Sequence, residues 1–128
     1  MRNLAKFTLA LTALAISVPA GAQRNWSFLG QRHVNDRAER DVIRVEGARR
    51  FSQIRLCVAD HAVRFYEVDI RFRNGGNQDI RLRTIVGADS CTGAINLRGR
   101  GRDIDQVVFR YEARTLGRRG ARVRLFGR

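Results

Sequence analysis

Beyond residue 22 the sequence predicts an all-β domain, an antiparallel β-sandwich or partly open barrel of about eight strands. Three observations carry this. Apolar residues alternate mostly with period two, the alternating runs are short, and glycine-bearing turns separate them.

In chain order, Trp26, Phe28 and His33-Val34 bound a first extended segment, which stops before the charged stretch Asn35 to Asp41. A short strand follows over Val42 to Glu46, and Gly47 ends it. From Phe51 to Val58, Ile54, Leu56 and Val58 share one face while Cys57 takes the other, so a disulfide there lies across a sheet face or at its edge. The longest candidate, Ala62 to Arg73, has Val63 and Phe65 on one phase, then Tyr66, Val68, Ile70 and Phe72 on the other. Such a switch calls for a bulge or strong twist near Phe65. Asn74-Gly75-Gly76-Asn77 is a turn, and Asp79 to Val86 reads as the hairpin partner. Gly87 to Gly93 reads as a loop carrying Cys91. Ala94 to Arg98, Ile104 to Ala113 and Ala121 to Phe126 complete the strands, with Ile95, Leu97, Val107, Phe109, Tyr111, Ala121, Val123 and Leu125 facing the core.

The N-terminus reads differently. Arg2 and Lys6 precede an uncharged run from Phe7 to Val18, too short to span a bilayer, and Pro19 then breaks the helix. Ala20-Gly21-Ala22 supplies the small residues of a cleavage site, so residues 1–22 are expected to be a signal peptide and 23–128 a single β domain. The expected location is exported, periplasmic or secreted. No later apolar run is long enough for a transmembrane segment, and oligomeric state cannot be read from these residues.

Cys57 and Cys91 are the only cysteines, and in an oxidising compartment they are expected to pair. By loop-closure entropy that bond contributes about 3 to 4 kcal/mol. Of the 25 basic residues, Arg2 and Lys6 lie in the leader. The remaining 23 are all arginine and stand against 12 acidic residues, a net charge of +11. The absence of lysine there excludes Schiff-base chemistry, and the charge predicts attraction to polyanions.

Several segments, Trp26-Ser27-Phe28-Leu29-Gly30, Asp41 to Val45, Asn74-Gly75-Gly76, Arg102 to Tyr111 and Ala121 to Gly127, together resemble a family of small, uncharacterised exported bacterial proteins with a β-sandwich-like pattern. The resemblance implies a scaffold and a compartment, and it brings no catalytic residue with it.

No enzymatic constellation emerges. His33 and His61 stand alone, without metal-ligand spacing, and Asp60-His61 and Asp89-Ser90 lack a nucleophile-elbow sequence. The acidic groups Asp36, Glu39 and Asp41, and Asp103 and Asp105, lie beside Arg37, Arg40 and Arg102, a pattern of salt bridges more than of a calcium site. Gly99 and Gly101 match no nucleotide fingerprint. No cofactor or metal is expected. The best functional candidates are two basic segments, with Arg98, Arg100 and Arg102 in one and Arg118, Arg119 and Arg122 in the other, whose glycines let a backbone approach an anionic ligand. The expected partner is an anionic polymer or envelope component. The alternative is a structural or protein-interaction domain, which would meet a protein partner and use its charge for solubility.

Overall fold

A computed structural model describes residues 26–35, 38–113 and 120–128. The expected signal peptide lies outside the described residues. The chain forms strands β1 (Ser27–Val34), β2 (Ala38–Arg44), β3 (Arg50–Phe51), β4 (Gln53–Ala59), β5 (Val63–Phe72), β6 (Asn77–Val86), β7 (Ser90–Cys91), β8 (Ile95–Asn96), β9 (Arg102–Ala113) and β10 (Ala121–Gly127). All pairings are antiparallel. One sheet runs β1-β10-β4, with β7 and β8 on the free edge of β4; the other runs β2-β9-β5-β6, with β3 beside β9. Two separate sheets face each other across one core, which decides for the sandwich over the barrel. Within each sheet a strand from late in the chain sits between earlier ones, so the sequence neighbours β1 and β2, or β4 and β5, belong to opposite sheets.

The alternation expected from the sequence fills the space between the sheets. Ile54, Leu56 and Val58 meet Ala121, Val123 and Leu125 on one side, and Val63, Phe65, Val68, Ile70, Val107, Phe109 and Tyr111 on the other are buried as well. Phe65 and Phe109 pack edge to face with ring centroids 6.0 Å apart. Each such side chain, fully removed from water, contributes about 1.5 to 3 kcal/mol of apolar transfer. The phase switch in β5 is real. Register slips between Phe65 and Glu67 against both neighbours: Tyr66 is the extra residue against β9, whereas against β6 the extra residue lies on β6.

Several boundaries differ from the sequence reading, giving ten strands in place of about eight. The charged stretch Asn35 to Asp41 is not all loop, because β2 starts at Ala38. Its charge is tolerated since Asp41 accepts hydrogen bonds from the Tyr111 hydroxyl at 2.8 Å and from Arg32 at 3.0 Å. The strand expected over Val42 to Glu46 thus ends earlier, at Arg44. The run Phe51 to Val58 is cut at Ser52, where the chain leaves one sheet for the other. Phe51 there packs against Gly127, whose missing side chain leaves the room. Finally, the expected strand Ala94 to Arg98 shrinks to two residues, and the Cys91 loop contains a short strand of its own.

Candidate functional site

Cys57 and Cys91 are bonded, on directly opposed positions of β4 and β7 with Cα atoms 3.9 Å apart. Leu56 points inward, so Cys57 necessarily takes the outer face of the sheet. Thr92 flanks the bond on the β7 side, giving its N–H to the Leu56 carbonyl at 2.8 Å and accepting the Leu56 N–H at 3.1 Å. No cysteine is left free.

The two histidines sit at one end of the sandwich. His61 Nδ1 donates to the Gly120 carbonyl at 2.9 Å, and His33 lies opposite Arg122 on β1. Beside them Asp60 and Arg122 pair at 3.0 Å. That hydrogen bond holds the Asp60 carboxyl below the usual carboxylate range and raises Arg122. Among the described residues no group of three or more His, Cys, Asp or Glu side chains could hold a metal ion. Asp103 and Asp105 are both bound by Arg73, at 3.3 and 3.1 Å, and the same guanidinium reaches the carbonyls of Val45, Gly47 and Ile104.

The sequence-predicted arginines do not form one site. Arg102 opens β9 at one end of the sandwich. Arg122 lies at the other, since it pairs with Ala59, and the 60–62 turn leads to Val63, which meets Ala113 at the close of β9. The length of β9 separates them, roughly 37 Å at about 3.4 Å per residue. Arg118 and Arg119 lie outside the described residues. Arg122 is committed to Asp60.

The Arg102 end is different in kind. The C-terminal Arg128 exchanges backbone hydrogen bonds with Gln53 and accepts from Ser52, and the Ser52 carbonyl accepts from Leu97. Arg98 gives its N–H to the buried Gln78 at 2.8 Å, and Gln78 reaches the Asn96 carbonyl at 3.0 Å. These bonds draw the C-terminus, the β3–β4 junction and the 97–101 loop together. Gly101, at φ +60°, lies against the Arg50 side chain, where a Cβ would come within 3.4 Å of it. Arg49, Arg50, Arg55, Arg98, Arg100, Arg102 and Arg128 thereby share one end, and among the described residues none of them has a carboxylate partner.

Aromatic rings take the place of carboxylates. The guanidinium of Arg102 stands 3.7 Å from the Phe72 ring centre, and its Nη1 donates to the Arg98 carbonyl. Arg49 lies 5.3 Å from Phe51. Trp26 carries two guanidiniums, Arg55 and Arg128, each at 4.4 Å, and Arg55 also reaches Phe126 at 5.7 Å. Phe126 meets Phe28 edge to face. Nothing in the local sequence around Trp26 or Phe126 shows what covers these rings. Arg55 and Arg128 are distant in sequence from Trp26 and meet it only through the β1-β10-β4 order.

The molecule is thus a disulfide-bonded antiparallel β-sandwich with one end rich in arginines seated on aromatic rings. Residues 7–127 match the family model of a domain of unknown function (DUF2541), and the chain belongs to that family. No curated protein matches the chain significantly, nor does any solved structure.

Proposed function

We propose that this chain is an exported, non-catalytic binding module for an anionic envelope or extracellular polymer, held at the arginine-rich end of the sandwich. One observation carries the reading: Arg49, Arg55, Arg102 and Arg128 lie over aromatic rings, Arg102 and Arg128 also donate to the Arg98 carbonyl and the Gln53 side-chain oxygen, and none of the four is paired with a carboxylate. A guanidinium donates in its own plane, through five N–H groups. A ring beneath that plane holds the group without neutralising it, whereas a carboxylate would cancel the charge and occupy the fork.

Arg50, Arg98 and Arg100, all exposed, extend the charge over the same end. Seven cations spread across strand ends and a loop match a repeating anion better than a compact ligand, because each contact is a separate phosphate, sulfate or carboxylate. Export would supply the oxidising surroundings that the Cys57–Cys91 bond needs. Among the described residues no helix is long and apolar enough to cross a membrane.

The test is equilibrium binding of the oxidised protein to lipopolysaccharide, an acidic glycan and DNA, each over a salt series. Saturable binding to one of them at physiological salt supports the reading. Weak binding to all three that disappears together as salt rises is nonspecific counterion release and contradicts it.

A further inference from the structure

The outer face of the β2-β9-β5-β6 sheet carries a second cluster of cations, built differently from the first. Where the β5–β6 register slips, Phe65 pairs with Thr84 and Glu67 with Arg81, so β6 bulges there, with Leu82 and Arg83 against Tyr66 alone. Leu82 packs against the core. Arg83 is exposed and adopts a left-handed backbone at φ +48°, a conformation that disfavours a side chain bearing Cβ. A bulge of this kind re-aims a side chain. Here the result is a groove of about 450 Å³ lined by Arg64, Tyr66, Glu67, Arg81, Arg83 and Arg110.

The neighbouring acids do not neutralise it. Glu67 lies opposite both Arg81 and Arg110 but forms an ion pair with Arg110 alone, at 3.5 Å. Glu112 lies opposite Arg64 but accepts the Tyr66 hydroxyl at 2.9 Å. Among the described residues Arg64, Arg81 and Arg83 have no carboxylate partner. Three like charges held in one groove, one of them on an unfavourable backbone, lower stability unless something anionic occupies the space between them.

We infer that this groove binds a phosphomonoester or diphosphate group. A carboxylate offers two oxygens and one charge, enough for one guanidinium fork. A phosphomonoester or diphosphate terminus carries about two charges and three terminal oxygens, which suits three converging guanidiniums. The groove is distinct from the polymer-binding end: Arg110 lies eight residues along β9 from Arg102, roughly 27 Å at about 3.4 Å per residue.

Calorimetric titration of the oxidised protein with inorganic pyrophosphate, glucose 6-phosphate and acetate at physiological salt tests this. Phosphatidylcholine vesicles doped with phosphatidic acid form a separate arm. Saturable binding of either soluble phosphate, with none of acetate, is the expected result. Binding in the vesicle arm alone supports the same chemistry and assigns its source to a lipid headgroup. Arg81→Gln and Arg83→Gly should each weaken binding about tenfold, the loss of one charge-assisted pair, while Arg44→Gln, the same charge change beside Gln106, leaves it unchanged. Glycine accepts the left-handed backbone, so Arg83→Gly does not lower the melting temperature and separates binding from folding. No saturable phosphate binding in any arm, or equal weakening by Arg44→Gln, overturns the inference.

Discussion

Tyr111 gives its hydroxyl to Asp41 Oδ2 at 2.8 Å, while the other carboxylate oxygen of Asp41 receives Arg32 at 3.0 Å. Tyr111 and Asp41 belong to β9 and β2 of one sheet, and Arg32 to β1 of the other, so a single carboxylate ties the two layers along their shared margin. Tyr111 is only 1% exposed, and its hydroxyl has no access to bulk water in exchange. Asp41→Ala should therefore cost about 1 to 3 kcal/mol in urea unfolding, because a buried donor loses its acceptor. Tyr111→Phe removes donor and need together and should cost less.

The same pair sets an alkaline limit. Burial, then the Asp41 hydrogen bond, pushes the Tyr111 hydroxyl well above the usual tyrosine value of 10.0. Above about pH 10 an unfolded tyrosine releases its proton while the folded one retains it, so the unfolded state binds fewer protons and stability falls as pH rises. The stabilisation is complete below the unfolded value and is lost progressively above it. Unfolding midpoints measured from pH 8 to pH 11 should drop more steeply in the parent protein than in Tyr111→Phe.

Two glycines with similar backbones should respond unequally to alanine. Gly120 has φ +72°, and an added Cβ would collide with the Val34 carbonyl; Gly47 has φ +82° with nothing within 4 Å. Gly47→Ala should cost about 1 to 2 kcal/mol, the left-handed backbone strain alone. Gly120→Ala must also displace β1 from β10 and should cost more, read as the larger fall in melting temperature.

Reduction of the Cys57–Cys91 bond, or its removal by Cys57→Ser with Cys91→Ser, should lower stability by about 3 kcal/mol through the freed unfolded chain. Leu56 and Thr92 still share two hydrogen bonds there, so near-ultraviolet circular dichroism of the reduced protein at low urea should retain its native form.

Local pattern made much of this fold legible. Ile54, Leu56 and Val58 announced a buried face, and the switch at Phe65 announced a bulge, since both depend only on which residues alternate. The sheet change at Ser52 left no such trace, because Phe51 and Ile54 read as one apolar run until Gly127 is placed beside Phe51. Charge misled at Asp41, where the compensating hydroxyl lies seventy residues away. For the site, Arg98, Arg100 and Arg102 lie in a segment that resembles in composition the one ending at Arg122, but strand order sends Arg122 to the opposite end. The Trp26, Arg55 and Arg128 cluster and the groove of Arg64, Arg81 and Arg83 each join separate strands, and no spacing in the chain encodes them.

The polymer-binding end is tested most directly by the salt dependence of DNA affinity, a calibrated polyanion, in three proteins: the parent, Arg98→Gln with Arg100→Gln, and Arg122→Gln. Each phosphate contact contributes about 0.9 to the slope of log affinity against log salt. The double variant should flatten that slope by about 1.8, while Arg122→Gln, whose guanidinium is already held by Asp60, should leave it nearly unchanged. Equal flattening per charge removed in both variants would mean that net charge alone drives association and would contradict a defined binding end.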